Sequence, residues 1–130
     1  MQRVFWADDH ATTLDAVRVL LENSFELVGT ATDGEQALES VRSLRPDVVV
    51  LDISMPKLSG IDVARKLHAD EEHPAIVFLT IHGDTAIVEA ALETGALGYV
   101  LKTSAGQELV TAIEQVATGE RFISPALCVD

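Results

Sequence analysis

Five polar residues in this sequence have side chains and positions that could act on one reacting group: Asp8, Asp9, Asp52, Thr80 and Lys102. Asp8-Asp9 closes the apolar run Val4–Ala7, Asp52 ends Val48–Asp52, Thr80 ends Ile76–Thr80, and Lys102 follows Tyr99–Leu101. Three carboxylates brought together repel one another and hold their protons more tightly, unless a hard divalent cation accepts their oxygens and neutralises the cluster. Mg²⁺ suits such an oxygen set. A carboxylate beside the ion can attack a phosphoryl group in line, while metal, hydroxyl and ammonium spread the charge over the outer oxygens. Asp52, Thr80 and Lys102 supply those chemistries. Asp8-Asp9 alone would read as a solvated loop or helix cap; Asp52 at another strand end changes that reading. His10 and His82 are not expected to bind the metal, because imidazole favours softer ions. His82, two residues past Thr80, is placed at the pocket mouth.

These residues can meet only if the elements carrying them run side by side. Short apolar runs alternate with segments of helical period, the pattern of parallel strands joined by crossover helices. Val4–Ala7, Leu27–Ala31, Val48–Asp52, Ile76–Thr80 and Tyr99–Leu101 read as strands, the third and fourth as central ones buried on both faces. Leu14, Val17 and Leu21, then Ala37, Leu38, Val41 and Leu44, then Leu109, Ile113 and Val116 recur at helical spacing. Thr12 with Asp15, Asp33 with Gln36, and Ser104 with Gln107 approximate capping boxes. Gly95 and Gly119 stand where the fourth and fifth helices should stop, and Pro46 and Pro74 precede strands. An open sheet of this kind binds ligands beyond the carboxyl ends of its strands. All five polar residues belong to that edge.

The chain has 130 residues, enough for one domain with its own core, and its 48% hydrophobic and 23% charged residues fit a globular protein. Twenty-one acidic against nine basic residues give a formal charge of −12, which argues against direct nucleic-acid or anionic-membrane binding. The apolar runs are too short to span a bilayer and no leader precedes Asp8-Asp9, so a cytoplasmic location is expected. Cys128 is the only cysteine, and we read it as inert.

Asp8-Asp9, the segment Asp52-Ile53-Ser54-Met55-Pro56-Lys57-Leu58-Ser59-Gly60, Thr80, and Gly95-Ala96 through Tyr99 to Lys102 resemble the motifs of response-regulator receiver domains. The resemblance spans the chain. It implies a flavodoxin-like (βα)5 fold, a doubly wound parallel five-stranded sheet of order 2-1-3-4-5. It also implies that Asp52 is the phosphoacceptor, with Asp9 and Asp52 as direct Mg²⁺ ligands, Asp8 as a ligand through water, and the Ser54 backbone carbonyl completing the set. Thr80 resembles the hydroxyl that moves to the phosphoryl oxygens, Lys102 their cationic partner, and Tyr99 the ring that swings inward. Two departures stand out. Thr103 follows Lys102 where relatives often carry proline, and Ile81 is bulkier than the usual residue after the hydroxyl, which narrows the expected access to the pocket.

The family's partner is a sensor histidine kinase, for which His10, Thr12, Thr13, Ala16 and Thr103 are the contact candidates. Gly119 through Pro125 resembles the segment that leaves the receiver in NarL/FixJ-type regulators. Residues 1–119 are therefore expected to be the receiver and 120–130 the start of a linker toward a helix-turn-helix output domain. Homodimers through the first and fifth helices are expected of that class, with Leu14, Val17, Val110 and Ala117 available to core or interface. A signalling phosphoacceptor of this kind catalyses only its own phosphorylation and dephosphorylation. Two other readings compete. A haloacid-dehalogenase-like phosphatase would need an Asp two residues after Asp52, where Ser54 stands. A phosphorylation-independent interaction module would not need the full set of five polar residues.

Overall fold

The computed structural model describes residues 1–127; Cys128, and with it the expectation that its thiol is inert, lies outside the described residues. The elements alternate as the sequence pattern predicts: β1 (Arg3–Ala7), α1 (Ala11–Ser24), β2 (Glu26–Ala31), α2 (Gly34–Leu44), β3 (Val48–Leu51), α3 (Gly60–His68), β4 (Ala75–Thr80), α4 (Thr85–Glu93), β5 (Gly98–Leu101) and α5 (Ala105–Ala117). All strand pairings are parallel, and the order is β2-β1-β3-β4-β5 with a sixth strand, β6 (Phe122–Ile123), outside β5.

Alternation along the central strands divides the core in two. Phe5, Val49, Leu51, Ile76 and Phe78 point into one cluster with residues of α2, α3 and α4, while Val4, Trp6, Val48, Val50, Val77 and Leu79 point into the other, with residues of α1 and α5. Trp6 is fully buried and its indole N–H donates to the Leu14 carbonyl at 3.3 Å, so its polar atom is satisfied. Leu14 and Val17 belong to this core, whereas Val110 and Ala117 are only partly buried against it.

The sixth strand corrects the expected five-stranded sheet. After α5, Gly119 takes φ +90 and the chain turns back along the open side of β5. There the Phe122 N–H donates to the Leu97 carbonyl and the Ser124 N–H to the Tyr99 carbonyl, each at 2.9 Å. An edge strand leaves a row of unpaired backbone groups, and this short segment satisfies them. The fold thus continues past Gly119, through residues expected to begin a linker.

Local signals met the structure unevenly. The Asp33 side chain accepts from the Gln36 N–H at 2.8 Å, and the Gln36 side chain accepts from the Thr32 N–H at 3.0 Å, as a cap should. Thr12 does not cap α1: His10 is the N-cap, and its N–H donates to the Asp8 carboxylate at 2.9 Å, so the entry is held by the pocket itself. Ser104 makes no side-chain cap bond, because a 3-10 turn over Lys102–Ser104 runs into α5. Ser59 caps α3 by accepting from the Asp62 N–H at 3.1 Å, a role not foreseen.

Candidate functional site

Parallel register brings the acidic residues together. Ala7 pairs with Leu51, so Asp8 and Asp52 leave neighbouring strands side by side, and the Asp52 N–H donates to the Ala7 carbonyl at 3.0 Å. Thr80 pairs with Leu101, which places Lys102 one residue beyond it on the same edge. Asp8, Asp52 and Thr80 are buried. Lys102 reaches across them: its ammonium donates to Asp8 at 2.8 Å and to Asp52 at 3.1 Å.

Asp52 also accepts from the Ile53 N–H at 2.8 Å. Burial pushes its carboxyl above the ordinary range and the charge of Asp8 adds to the shift, while the Lys102 ammonium and the Ile53 N–H oppose it. Burial alone would lower Lys102. The hydrogen bond it donates to Asp8 and the charge of Asp52 outweigh that and hold the ammonium above its usual value.

Asp8, Asp9, His10 and Asp52 each offer one ligand atom, all within 4.8 Å of one another. The set is dominated by carboxylate oxygens and two of its members are buried, which fits a hard cation such as Mg²⁺. The His10 ring lies 3.0 Å from an Asp9 oxygen and is largely exposed. Sequence reasoning kept it out of the metal set; the geometry brings it beside that set.

His82 is a junction that sequence reasoning only partly saw. Its N–H donates to the Thr80 hydroxyl at 3.2 Å, its carbonyl accepts from the Tyr99 hydroxyl at 2.7 Å, and its Nε2 lies 3.0 Å from the Ser54 hydroxyl. The two expected switch residues therefore hold the same residue, which in turn touches the loop leaving β3. Tyr99 is fully buried, with its ring turned into the core beside Phe78. Burial, with the Asp84 and Asp52 carboxylates, pushes its phenol up to about 12.

The loop after β3 is fixed by two glycines, Gly60, which closes the Asp52–Gly60 motif, and Gly34, which sequence reasoning passed over. A Cβ on Gly60 would lie 2.0 Å from the Asp52 carbonyl oxygen, and one on Gly34 would lie 2.0 Å from the Leu58 carbonyl oxygen. Only hydrogen fits at either place. The Gly60 N–H donates to the Ile53 carbonyl at 2.7 Å, tying the two ends of the loop together, and the Gly34 N–H donates to the Pro56 carbonyl at 3.1 Å, holding its middle. Lys57, at φ +70, adds an ion pair to Asp33 at 3.8 Å.

Of the expected kinase contacts, Thr12, Thr13, Ala16 and Thr103 line one groove of about 640 Å³ between α1 and the start of α5; His10 does not line it. Ile81, 74% exposed, forms part of that groove. The Lys102–Thr103 peptide is trans, since the described residues contain no cis bond.

Residues 4–114 match the response regulator receiver domain family, most of the chain and all five polar residues of the pocket. The chain belongs to that family. This receiver domain is 38% identical over 120 residues to the transcriptional regulatory protein DegU of Brevibacillus brevis, covering 91% of the chain and 51% of DegU. It is 35% identical over 126 residues to the response regulator UvrY of Escherichia coli K12, covering 95% of the chain and 58% of UvrY. The receiver thus spans about half to three fifths of these relatives. Among solved structures, a LuxR-family two-component response regulator from Aurantimonas sp. SI85-9A1 superposes with TM-score 0.92 at 34% identity, covering 98% of this chain and 92% of that one. The isolated REC domain of RcsB from Salmonella enterica serovar Typhimurium, solved in the presence of phosphomimetic BeF3⁻, gives 0.88 at 27% identity, covering 97% and 95%. No helix among the described residues of this receiver is long and apolar enough to cross a membrane.

Proposed function

We propose that this receiver accepts a phosphoryl group on Asp52 from a sensor histidine kinase, with Mg²⁺, and switches shape to control an output domain, of the helix-turn-helix transcription-factor kind. The observation that carries the reading is the Lys102 ammonium held between the buried carboxylates of Asp8 and Asp52 at the strand ends. In transfer from a phosphohistidine, an Asp52 oxygen forms a new O–P bond as the P–N bond breaks, and the imidazole leaves with the bonding electrons. Mg²⁺ bound at Asp8, Asp9 and Asp52, with the Ser54 carbonyl, would neutralise charge on the phosphoryl oxygens. Lys102 is placed to exchange its carboxylate contacts for those oxygens, and Thr80 to turn its hydroxyl toward them. His82, bonded to Ser54 at the mouth, governs how readily water reaches the phosphoryl group. The only turnover is of the domain's own phosphate.

The kinase reaches this pocket over the groove containing Thr12, Thr13, Ala16 and Thr103, with His10 outside that groove beside the Asp9 carboxylate. Leu14 and Val17 are committed to the core, so a homodimer through α1 and α5 would use other residues of those helices, such as the partly buried Val110 and Ala117. DNA contact belongs to the output domain, given the receiver's charge of −12. The direct test is incubation with Mg²⁺ and acetyl phosphate. One acid-stable, base-labile phosphate per chain is expected by intact mass, and an unmodified mass would reject the reading.

Lys102→Ala should fold and bind Mg²⁺, yet respond to beryllofluoride at least about tenfold more weakly, because charge-assisted hydrogen bonds of this kind contribute about 1.5–3 kcal/mol. A titration followed by amide chemical shifts reads this directly; a wild-type response would remove Lys102 from the mechanism.

Thr80→Ala tests how the signal leaves the pocket. Burying charge at Asp52 matters only if it favours one of two arrangements. Thr80 and Tyr99 both hold His82, so a hydroxyl drawn to the phosphoryl oxygens must disturb the Tyr99 anchor. With Mg²⁺ and beryllofluoride, wild-type amides of Thr80, Ile81, His82 and Tyr99 should shift. In Thr80→Ala the Tyr99 shift should vanish while Mg²⁺ binding persists; an unchanged Tyr99 shift would break the coupling.

A further inference from the structure

Ser124 lies beyond the last helix, yet it is buried and every polar group it has is engaged. Its N–H donates to the Tyr99 carbonyl at 2.9 Å and its carbonyl accepts from the Leu127 N–H at 3.0 Å. Its hydroxyl accepts from the Leu101 N–H at 3.1 Å and donates to the Glu108 carboxylate on α5. Leu101 is the residue before Lys102 and lies at the end of β5, where the pairing with β6 has already stopped at Tyr99–Ile123. Without the serine hydroxyl, the Leu101 N–H would have no partner from the strand beside it. The Ser124 hydroxyl therefore extends the edge pairing by one step, to the point where the chain leaves the sheet and the lysine begins.

We propose that Ser124 is a positioning residue for Lys102, and that through it the segment leaving the domain is part of the phosphoryl-transfer machinery. The inference rests on Asp52 as the phosphoacceptor. A lysine side chain is long and flexible, so its ammonium is held at a set point only if its backbone is held. Lys102 must span two carboxylates at 2.8 and 3.1 Å, and small misplacements of such a group slow a reaction that depends on charge placement. The same segment also touches the other side of the pocket: Leu127 packs on the cluster containing Tyr99, and a Cβ on Gly83, beside His82, would lie 3.5 Å from a Leu127 methyl. Coupling of this kind is reciprocal. If seating Ser124 favours one placement of Lys102, then moving Lys102 to phosphoryl oxygens changes how firmly Ser124 is seated, and the segment beyond reads the state of Asp52.

The test compares the 130-residue chain with Ser124→Ala and Ser124→Thr, by amide hydrogen exchange and by intact-mass kinetics of phosphorylation from acetyl phosphate. Ser124→Ala should speed exchange at Leu101 by about tenfold, as expected for loss of a buried hydrogen bond. It should also lower the maximal phosphorylation rate by about tenfold, leaving the half-saturating acetyl phosphate and Mg²⁺ concentrations unchanged. Ser124→Thr, which keeps the hydroxyl, should restore both. Glu108→Gln removes the charge that Ser124 donates to and should give a smaller effect of the same kind, which keeps the proposal testable if Ser124→Ala folds poorly. Faster exchange at Leu101 with a wild-type maximal rate would leave Ser124 a purely structural clasp and overturn the positioning role. A wild-type chain that takes no phosphate on Asp52 would instead overturn the parent reading, and the two failures are told apart by that control.

Discussion

Asp52→Asn should take up no phosphate when incubated with Mg²⁺ and acetyl phosphate under conditions that label the wild type. An amide has no anionic oxygen to attack phosphorus, and neither of the other two pocket carboxylates is placed to replace it: Asp8 is tied to Lys102 and to the His10 N–H, and Asp9 pairs with the exposed His10 ring. Intact mass reads the result, and undiminished incorporation would remove Asp52 as the nucleophile. The same variant makes a second, opposite-looking prediction about stability. Burial and the charge of Asp8 raise the Asp52 carboxyl pKa in the fold, net of Lys102, so the folded chain holds that proton more tightly than the unfolded one. Stability from this group is therefore greatest at acid pH and is lost as pH rises from the unfolded carboxylate range through the raised folded value. Asparagine cannot ionise. Without Mg²⁺, Asp52→Asn should unfold at a higher temperature than wild type at neutral pH, with the difference fading toward acid pH; a lower melting temperature at neutral pH would mean that the Lys102 contact outweighs the burial.

Gly60→Ala should be the most destabilising single methyl in the loop after β3. Its Cβ would fall 2.0 Å from the Asp52 carbonyl oxygen and 2.9 Å from the carbonyl carbon, both backbone atoms that cannot rotate away. Forced overpacking of this kind costs about 3 kcal/mol, and for a chain this size the melting temperature should fall by roughly 10 °C. Gly106→Ala is the matched control. It is helical and nothing lies within 4 Å of its added methyl, so the better helix propensity of alanine should stabilise the fold by about 0.5–1 kcal/mol. Circular-dichroism melts of the two variants decide the matter. Equal melting temperatures would show that the loop after β3 yields where its geometry says it cannot. Because that loop begins at Asp52, Gly60→Ala should also weaken Mg²⁺ binding even at temperatures where it is folded.

Much of this protein was written in local pattern. The alternation of apolar runs with helical periods determined five strands and their helices, because burial on both faces of a parallel sheet leaves no other way to arrange runs such as Val48–Leu51 and Ile76–Leu79. The polar residues that end those runs determined the pocket, since parallel strands share a carboxyl edge. Gly95 and Gly119 marked helix ends because φ +96 and +90 are positions where other residues are strained. Tertiary structure decided what depends on partners distant in sequence. Thr12 was passed over as a cap because Asp8 already held the chain at His10, a contact between strand end and helix start that a spacing rule does not contain. Phe122 and Ile123 became a strand because β5 had an open edge, a fact about the sheet and not about two apolar residues. His82 became the common anchor of Thr80 and Tyr99, and Ser124 the clasp before Lys102, through hydrogen bonds that span 17 and 23 residues from Tyr99 to His82 and from Leu101 to Ser124. Periodicity reports which side of an element is buried; it carries no record of which distant backbone group a buried hydroxyl will meet, and that is settled only when the packed elements bring donor and acceptor within reach.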